Sequence, residues 1–230
     1  MVSAKATEQL VRADLPSSIN GSNGAHSGSP SVEQAARDHV WIHMLPWAEF
    51  DSDNLRIFDR GEGARLYDVQ GREYLDGIAG LWVVNAGHGR KEIAQAYGDQ
   101  AAKLGYASAM SYTTTPAVEL ASKLAEITPG DLSRAFFVSG GSEAVETAIK
   151  IAKQVQSMRG FPRRYKIIAR RGSYHGMTYG AMSLTATRNE NWFGPFMYGV
   201  SHVPHPNRYR SDFGLEGEAA DIAAAKYVEQ

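Results

Sequence analysis

The residues with the clearest chemical potential lie at Val138-Ser139-Gly140-Gly141-Ser142-Glu143, where a short apolar run meets a helical pattern through two glycines and two hydroxyls. A helix start presents backbone N–H groups without intrahelical acceptors, and the helix dipole adds partial positive charge, so an anion such as phosphate is favoured there. Glycine lets the backbone approach the anion, and Ser142 offers a hydroxyl donor. The spacing is neither G-x-x-x-x-G-K-[ST] nor G-x-G-x-x-G, so a single phosphate suits it better than a pyrophosphate. The same Gly-Gly-Ser also serves as an ordinary capped turn.

A second group, Gly172-Ser173-Tyr174-His175-Gly176, follows the next apolar run. Tyr174 presents a flat ring that can stack on a planar heteroaromatic, with flanking glycines leaving room for it. In a parallel sheet, ligands bind beyond the carboxyl ends of the strands, and both groups fall at such ends.

Other clusters have plainer readings. Arg159, Arg163, Arg164, Lys166, Arg170 and Arg171 read as a solvated basic face. His202 and His205 lack a third neighbouring ligand, so no metal site is assigned. Glu143 and Glu146 read as favouring a helix N-terminus, with Glu146 also available to Lys150 at i, i+4.

The elements that must carry these residues follow from pattern. Arg65 to Asp68 and Glu73 to Asp76 read as a hairpin turning at Gly71. Lys91 to Gly105 reads as a helix. Another helix opens with Thr115 as cap and Pro116 as its first residue, and Thr128-Pro129-Gly130 closes it. Ala135 to Val138 reads as a strand buried on both faces, Glu143 to Arg159 as a helix, and Tyr165 to Ala169 as the strand completing a βαβ unit. Met177 to Leu184 reads as helix and Val200 to Val203 as strand. The fold class is α/β.

Composition bounds the rest. The 230 residues are 43% hydrophobic and 21% charged, with 24 basic against 25 acidic side chains, which excludes a polyelectrolyte and gives no field to gather nucleic acid. The chain has no cysteine, which removes disulfides, thiolate metal sites and Cys nucleophiles and points to a cytoplasmic protein. No run approaches the ~20 apolar residues of a membrane helix, so no membrane association is expected. Residues 1–31 read as a flexible tail rich in Ser, Gly and Asn.

In combination, Asp76 to Trp82, Asn85-Ala86-Gly87-His88-Gly89, Val138 to Ala148 and Ser173-Tyr174-His175-Gly176 resemble the class III aminotransferases, pyridoxal phosphate enzymes of fold type I that include ω-amino acid and amine transaminases. The resemblance runs over roughly residues 32 to 210. It implies an incomplete fold type I architecture: a small-domain segment over 32–95, and over 96–230 the first part of a large domain with a mostly parallel sheet.

It further implies that Gly140, Gly141 and Ser142 bind the cofactor phosphate, that Tyr174 stacks on the pyridine ring with His175 beside it, and that Trp47, Leu81 and Trp82 line the substrate pocket. Many relatives carry a hydroxyl where this chain has Gly140. The implied reaction moves an amino group from an amine or amino acid to a keto acid, within a homodimer. The family's Schiff-base lysine and the acid on the pyridine nitrogen lie downstream of these segments. No lysine here matches the family motif, so the catalytic lysine is expected beyond residue 230 and the chain reads as the N-terminal portion of a longer enzyme. A related aminomutase or decarboxylase would share the cofactor loop, an NAD-linked oxidoreductase would need a G-x-G-x-x-G that this chain lacks, and a non-catalytic fragment stands as the remaining rival.

Overall fold

The computed structural model describes residues 31–43, 55–185 and 193–229. The chain divides into two compact units at 107/108. The expected small-to-large domain boundary at 95/96 falls inside a helix, and the tail expected over 1–31 lies, Ser31 apart, outside the described residues.

In the first unit, helix α1 (Val32–His39) starts at Ser31, whose hydroxyl accepts the Gln34 N–H at 3.2 Å. Strands β1 (Phe58–Glu62), β2 (Arg65–Asp68) and β3 (Glu73–Leu75) then form a three-stranded antiparallel sheet in chain order. The β2–β3 hairpin is as the sequence suggests, with Gly71 at φ 79°. What fixes its turn is Asp68, a buried carboxylate that accepts the N–H of Gln70 and Arg72, the Arg72 Nε and the Tyr74 hydroxyl at 2.7 to 3.0 Å. Burial by itself would raise this carboxyl, but the bonds from Arg72 and Tyr74 win and hold it at about 2. Helix α2 (Lys91–Lys103) completes the unit.

The second unit opens with α3 (Thr115–Ile127). Its cap is Thr114, one residue earlier than expected, so Pro116 takes the second helical position, where its missing N–H still costs nothing. Next come α4 (Gly141–Met158), β4 (Ile167–Arg170), α5 (Tyr179–Leu184), β5 (Val200–Val203) and α6 (Gly217–Tyr227). Strands β4 and β5 pair in parallel, Ile167 opposite Val200 through Arg170 opposite Val203. Ile149 of α4, Ala169 of β4 and Leu184 of α5 form a buried cluster, joined by Val145, Ile167, Met197 and Val200.

The buried strand expected over 135–138 is not formed. These residues pair with no strand among the described residues, and Phe136 is 72% exposed. An apolar run becomes a buried strand only when neighbouring strands supply its ladder and helices cover its faces, and the run itself encodes neither. The βαβ unit expected over 135–169 is therefore not closed, and the observed parallel pair joins β4 to β5.

Candidate functional site

Helix α4 begins two residues earlier than the sequence suggested, so Gly141 and Ser142 lie in its first turn, with Gly140 as an extended N-cap. Ala144 makes the first helical bond, to the Gly140 carbonyl at 3.0 Å. The N–H groups of Gly141, Ser142 and Glu143 therefore precede any intrahelical acceptor. Glu143 folds back, its Oε2 accepting the Ser139 N–H at 2.7 Å. Neither glycine is demanded by packing: a Cβ built on Gly140 or Gly141 meets nothing within 4 Å. Their small size keeps the approach to the free N–H groups open.

The second loop leaves β4 through Gly172, and Tyr174 stands 65% exposed. The His175 N–H is held by Thr185 Oγ1 at 2.8 Å. At Gly176 the backbone takes φ +134° and presses on α4, where a Cβ would come within 2.9 Å of Ser142 Cα. Just beyond, the Met177 N–H donates to Ser142 Oγ at 3.0 Å. That bond fills an acceptor position of the hydroxyl and leaves its proton free to donate elsewhere.

Glu146 completes the junction. Its Oε1 accepts Thr178 Oγ1 at 2.7 Å and the N–H groups of Gly180 and Ala181 at 2.9 and 3.3 Å, capping α5 from outside. The Thr178 bond, followed by those backbone N–H groups, outweighs partial burial and lowers the Glu146 carboxyl below its usual range. Glu146 was expected to favour the start of its own helix or to pair with Lys150. Its role was missed because its partners lie more than 30 residues away in sequence. The one local clue is that Thr178 precedes a short helix with no acid in its first turn. Ser142 and the Gly176–Met177 backbone are thus brought into contact, although the strand expected to lead into Gly140 is not formed.

In the first unit, Leu81 and Trp82 lie on a single left-handed turn. Ala79, Gly80, Leu81 and Trp82 have φ of 48°, 58°, 67° and 65°. For residues other than glycine this conformation costs about 1–2 kcal/mol each, so neighbouring groups must enforce it. The Asp76 carboxylate accepts the Ile78 N–H at 3.3 Å through Oδ1, and the Gly80 N–H at 2.8 Å and His88 Nε2 at 2.7 Å through Oδ2. The His88 bond is the largest cause of a lowered Asp76 carboxyl. Leu81 is 61% and Trp82 73% exposed. Trp47 lies outside the described residues.

His202 and His205 are engaged separately, with the Leu184 carbonyl at 3.2 Å and the Asn207 side chain at 3.3 Å. Among the described residues no group of three His, Cys, Asp or Glu could hold a metal, and no helix is long and apolar enough to cross a membrane.

The family model for aminotransferase class-III matches residues 48–230. A probable aminotransferase of Mycobacterium tuberculosis is 43% identical over 219 residues, an alignment covering 87% of this chain and 47% of that protein. Hypotaurine/taurine–pyruvate aminotransferase of Paracoccus denitrificans is 36% identical, over 86% of this chain and 43% of its own length. The ω-transaminase of Pseudomonas jessenii, solved in complex with PMP, superposes with a TM-score of 0.82 at 30% identity, covering 87% of this chain and 45% of that one. The chain therefore spans less than half the length of the relatives it matches.

Proposed function

The chain belongs to the class-III aminotransferases, and on that premise we propose that the whole protein is a pyridoxal phosphate-dependent enzyme moving an amino group from an amine or ω-amino acid to a keto acid such as pyruvate. The single observation that carries the reading is the junction of the two loops, where an open helix N-terminus and an exposed tyrosine are fastened together by Ser142 and Glu146. The relatives named for pyruvate and the neighbour solved with PMP support the acceptor and the cofactor.

When bound, the cofactor supplies the electron sink for amine chemistry. The residues of this chain hold and orient it. The N–H groups of Gly141, Ser142 and Glu143 would hold the phosphate, and the Ser142 hydroxyl would donate a hydrogen bond to it while the Met177 N–H occupies one of its lone pairs. Tyr174 offers its ring face to the pyridine, with His175 fixed beside it through its backbone. Leu81, Trp82 and Trp47 border the substrate. We place the enzyme in the cytoplasm, in keeping with the absence of cysteine from these 230 residues, and as a homodimer. The exposed apolar side chains Leu81, Trp82 and Val83 on segment 77–89 suit a surface that a second subunit covers. We assign residues 32–95 to the small domain and 96–230 to the start of the large one, with helix α2 crossing from one to the other.

The test is alanine formation from pyruvate and an amine by the full-length protein loaded with pyridoxal phosphate. An aminomutase would rearrange one amino acid without consuming pyruvate, and a decarboxylase would release CO2; either result replaces the reading.

A further inference from the structure

Segment 77–89 is anchored twice to the turn that joins β1 to β2. The Asp76 N–H donates to the Ala64 carbonyl at 2.9 Å, and the backbones of His88 and Gly63 bond to each other at 2.8 and 3.1 Å. Between these anchors the Asp76 carboxylate and the His88 ring meet at 2.7 Å, their side chains only 4% and 18% exposed. Gly61 makes room for the ring, since a Cβ there would sit 2.7 Å from His88 Cγ. An ionised carboxylate only accepts, so His88 Nε2 carries the proton of this bond. The same Oδ2 accepts the Gly80 N–H inside the left-handed turn. Asp76 thus couples the fixed sheet to the strained backbone that carries Leu81 and Trp82.

We propose that Asp76 and His88 form a positioning pair that sets the orientation of Leu81 and Trp82, and through them the size of amine accepted. The inference rests on the assignment of Leu81 and Trp82 to the substrate pocket. The left-handed turn closes its own backbone bonds, from the Trp82 N–H to the Ile78 carbonyl at 2.8 Å and from the Val83 and Val84 N–H groups to the Ala79 carbonyl at 3.0 and 2.8 Å, but three of its four residues are not glycine, so its entry at Ile78 and Gly80 still relies on the Asp76 carboxylate. In Asp76→Asn the carboxamide keeps a single acceptor oxygen, so it cannot serve Ile78 on one side and both Gly80 and His88 on the other. In His88→Leu the donor to Oδ2 is lost, whereas His88→Gln retains an N–H of similar reach.

The experiment uses the full-length protein labelled with 5-fluorotryptophan, with the Trp82 resonance assigned by its loss in Trp82→Phe. Asp76→Asn and His88→Leu are expected to shift or broaden that resonance and leave the other tryptophans in place, and His88→Gln to restore it. In parallel, the kcat/KM ratio of a small to a bulky amine is expected to change by about tenfold in both disruptive variants and to recover in His88→Gln. A Trp82 resonance unmoved by both disruptive variants overturns the proposal. Trp82→Ala separates the two levels. If it alters the amine ratio and Asp76→Asn does not, the positioning role fails while the pocket assignment stands. If it leaves the ratio unchanged, the pocket assignment fails and takes the specificity role with it.

Discussion

Ser142 on helix α4 accepts the Met177 N–H at 3.0 Å, so the residue assigned to cofactor phosphate also fastens the loop that presents Tyr174. Removing this hydroxyl should have two consequences. In the full-length protein Ser142→Ala is expected to weaken cofactor retention by about 1.5–3 kcal/mol, the scale of a hydrogen bond to a charged group. It should also speed hydrogen exchange at Met177. Equilibrium dialysis and exchange mass spectrometry read the two separately, and unchanged cofactor affinity would falsify the phosphate role alone.

Gly141 offers a prediction in which stability and binding part ways. Its Cβ position is open and it lies inside the first turn of α4, where alanine is the better helix former. Gly141→Ala should therefore leave thermal stability unchanged or raise it by up to about 1 kcal/mol. Cofactor retention should fall, because the methyl group occupies the phosphate approach. If retention holds in this variant, the phosphate does not bind at this turn.

Gly176 should behave in the opposite way. Its φ of +134° is rarely open to other residues, and an added Cβ would strike Ala181 Cβ and Ser142 Cα at 2.9 Å. Because the obstacle includes backbone of α4, the neighbour cannot simply swing aside. Gly176→Ala is expected to cost about 2–4 kcal/mol of stability, measured by denaturant unfolding in the absence of cofactor. A loss smaller than about 1 kcal/mol would mean that the loop does not press on α4 as described.

Tyr174 has an exposed ring, and the loop that carries it is held at the next residue, where the His175 N–H donates to Thr185 Oγ1. Tyr174→Phe should keep most cofactor affinity, and Tyr174→Ala should lose the stacking contribution of about 0.5–1.5 kcal/mol along with the ring's burial. Equal damage in the two variants would transfer the role from the ring face to the hydroxyl.

Acid should loosen the β2–β3 hairpin in a defined window. The Asp68 carboxyl is held at about 2 against an ordinary value of 3.8, so as pH falls the unfolded chain takes up this proton before the folded one does. The stability that Asp68 contributes is therefore fully present above about pH 4 and is lost as pH falls toward 2. Asp68→Asn should be less stable than the wild type at neutral pH, with the difference narrowing across that window. A difference that stays constant from pH 5 to pH 2 would show that the pairing of Asp68 does not depend on its charge.

The sequence by itself determined what is local or compositional. Gly71 between two extended runs marked the hairpin, Thr128-Pro129-Gly130 marked the end of α3, and the four family-like segments marked the family. The α/β class was legible too, and so were the two glycine-containing loops themselves, but the strand expected to lead into Gly140 is not formed, and the contact between the loops rests on Ser142 meeting Gly176 and Met177. Only the tertiary structure decided which polar groups meet. Glu146 looked like a residue serving its own helix until α5 arrived beside it, and Asp76 and His88 are 12 residues apart with the strained turn between them. Phe136 shows the converse. An apolar run states a preference for burial, but burial is a property of the neighbours that cover it, and no short stretch of sequence carries its own neighbours.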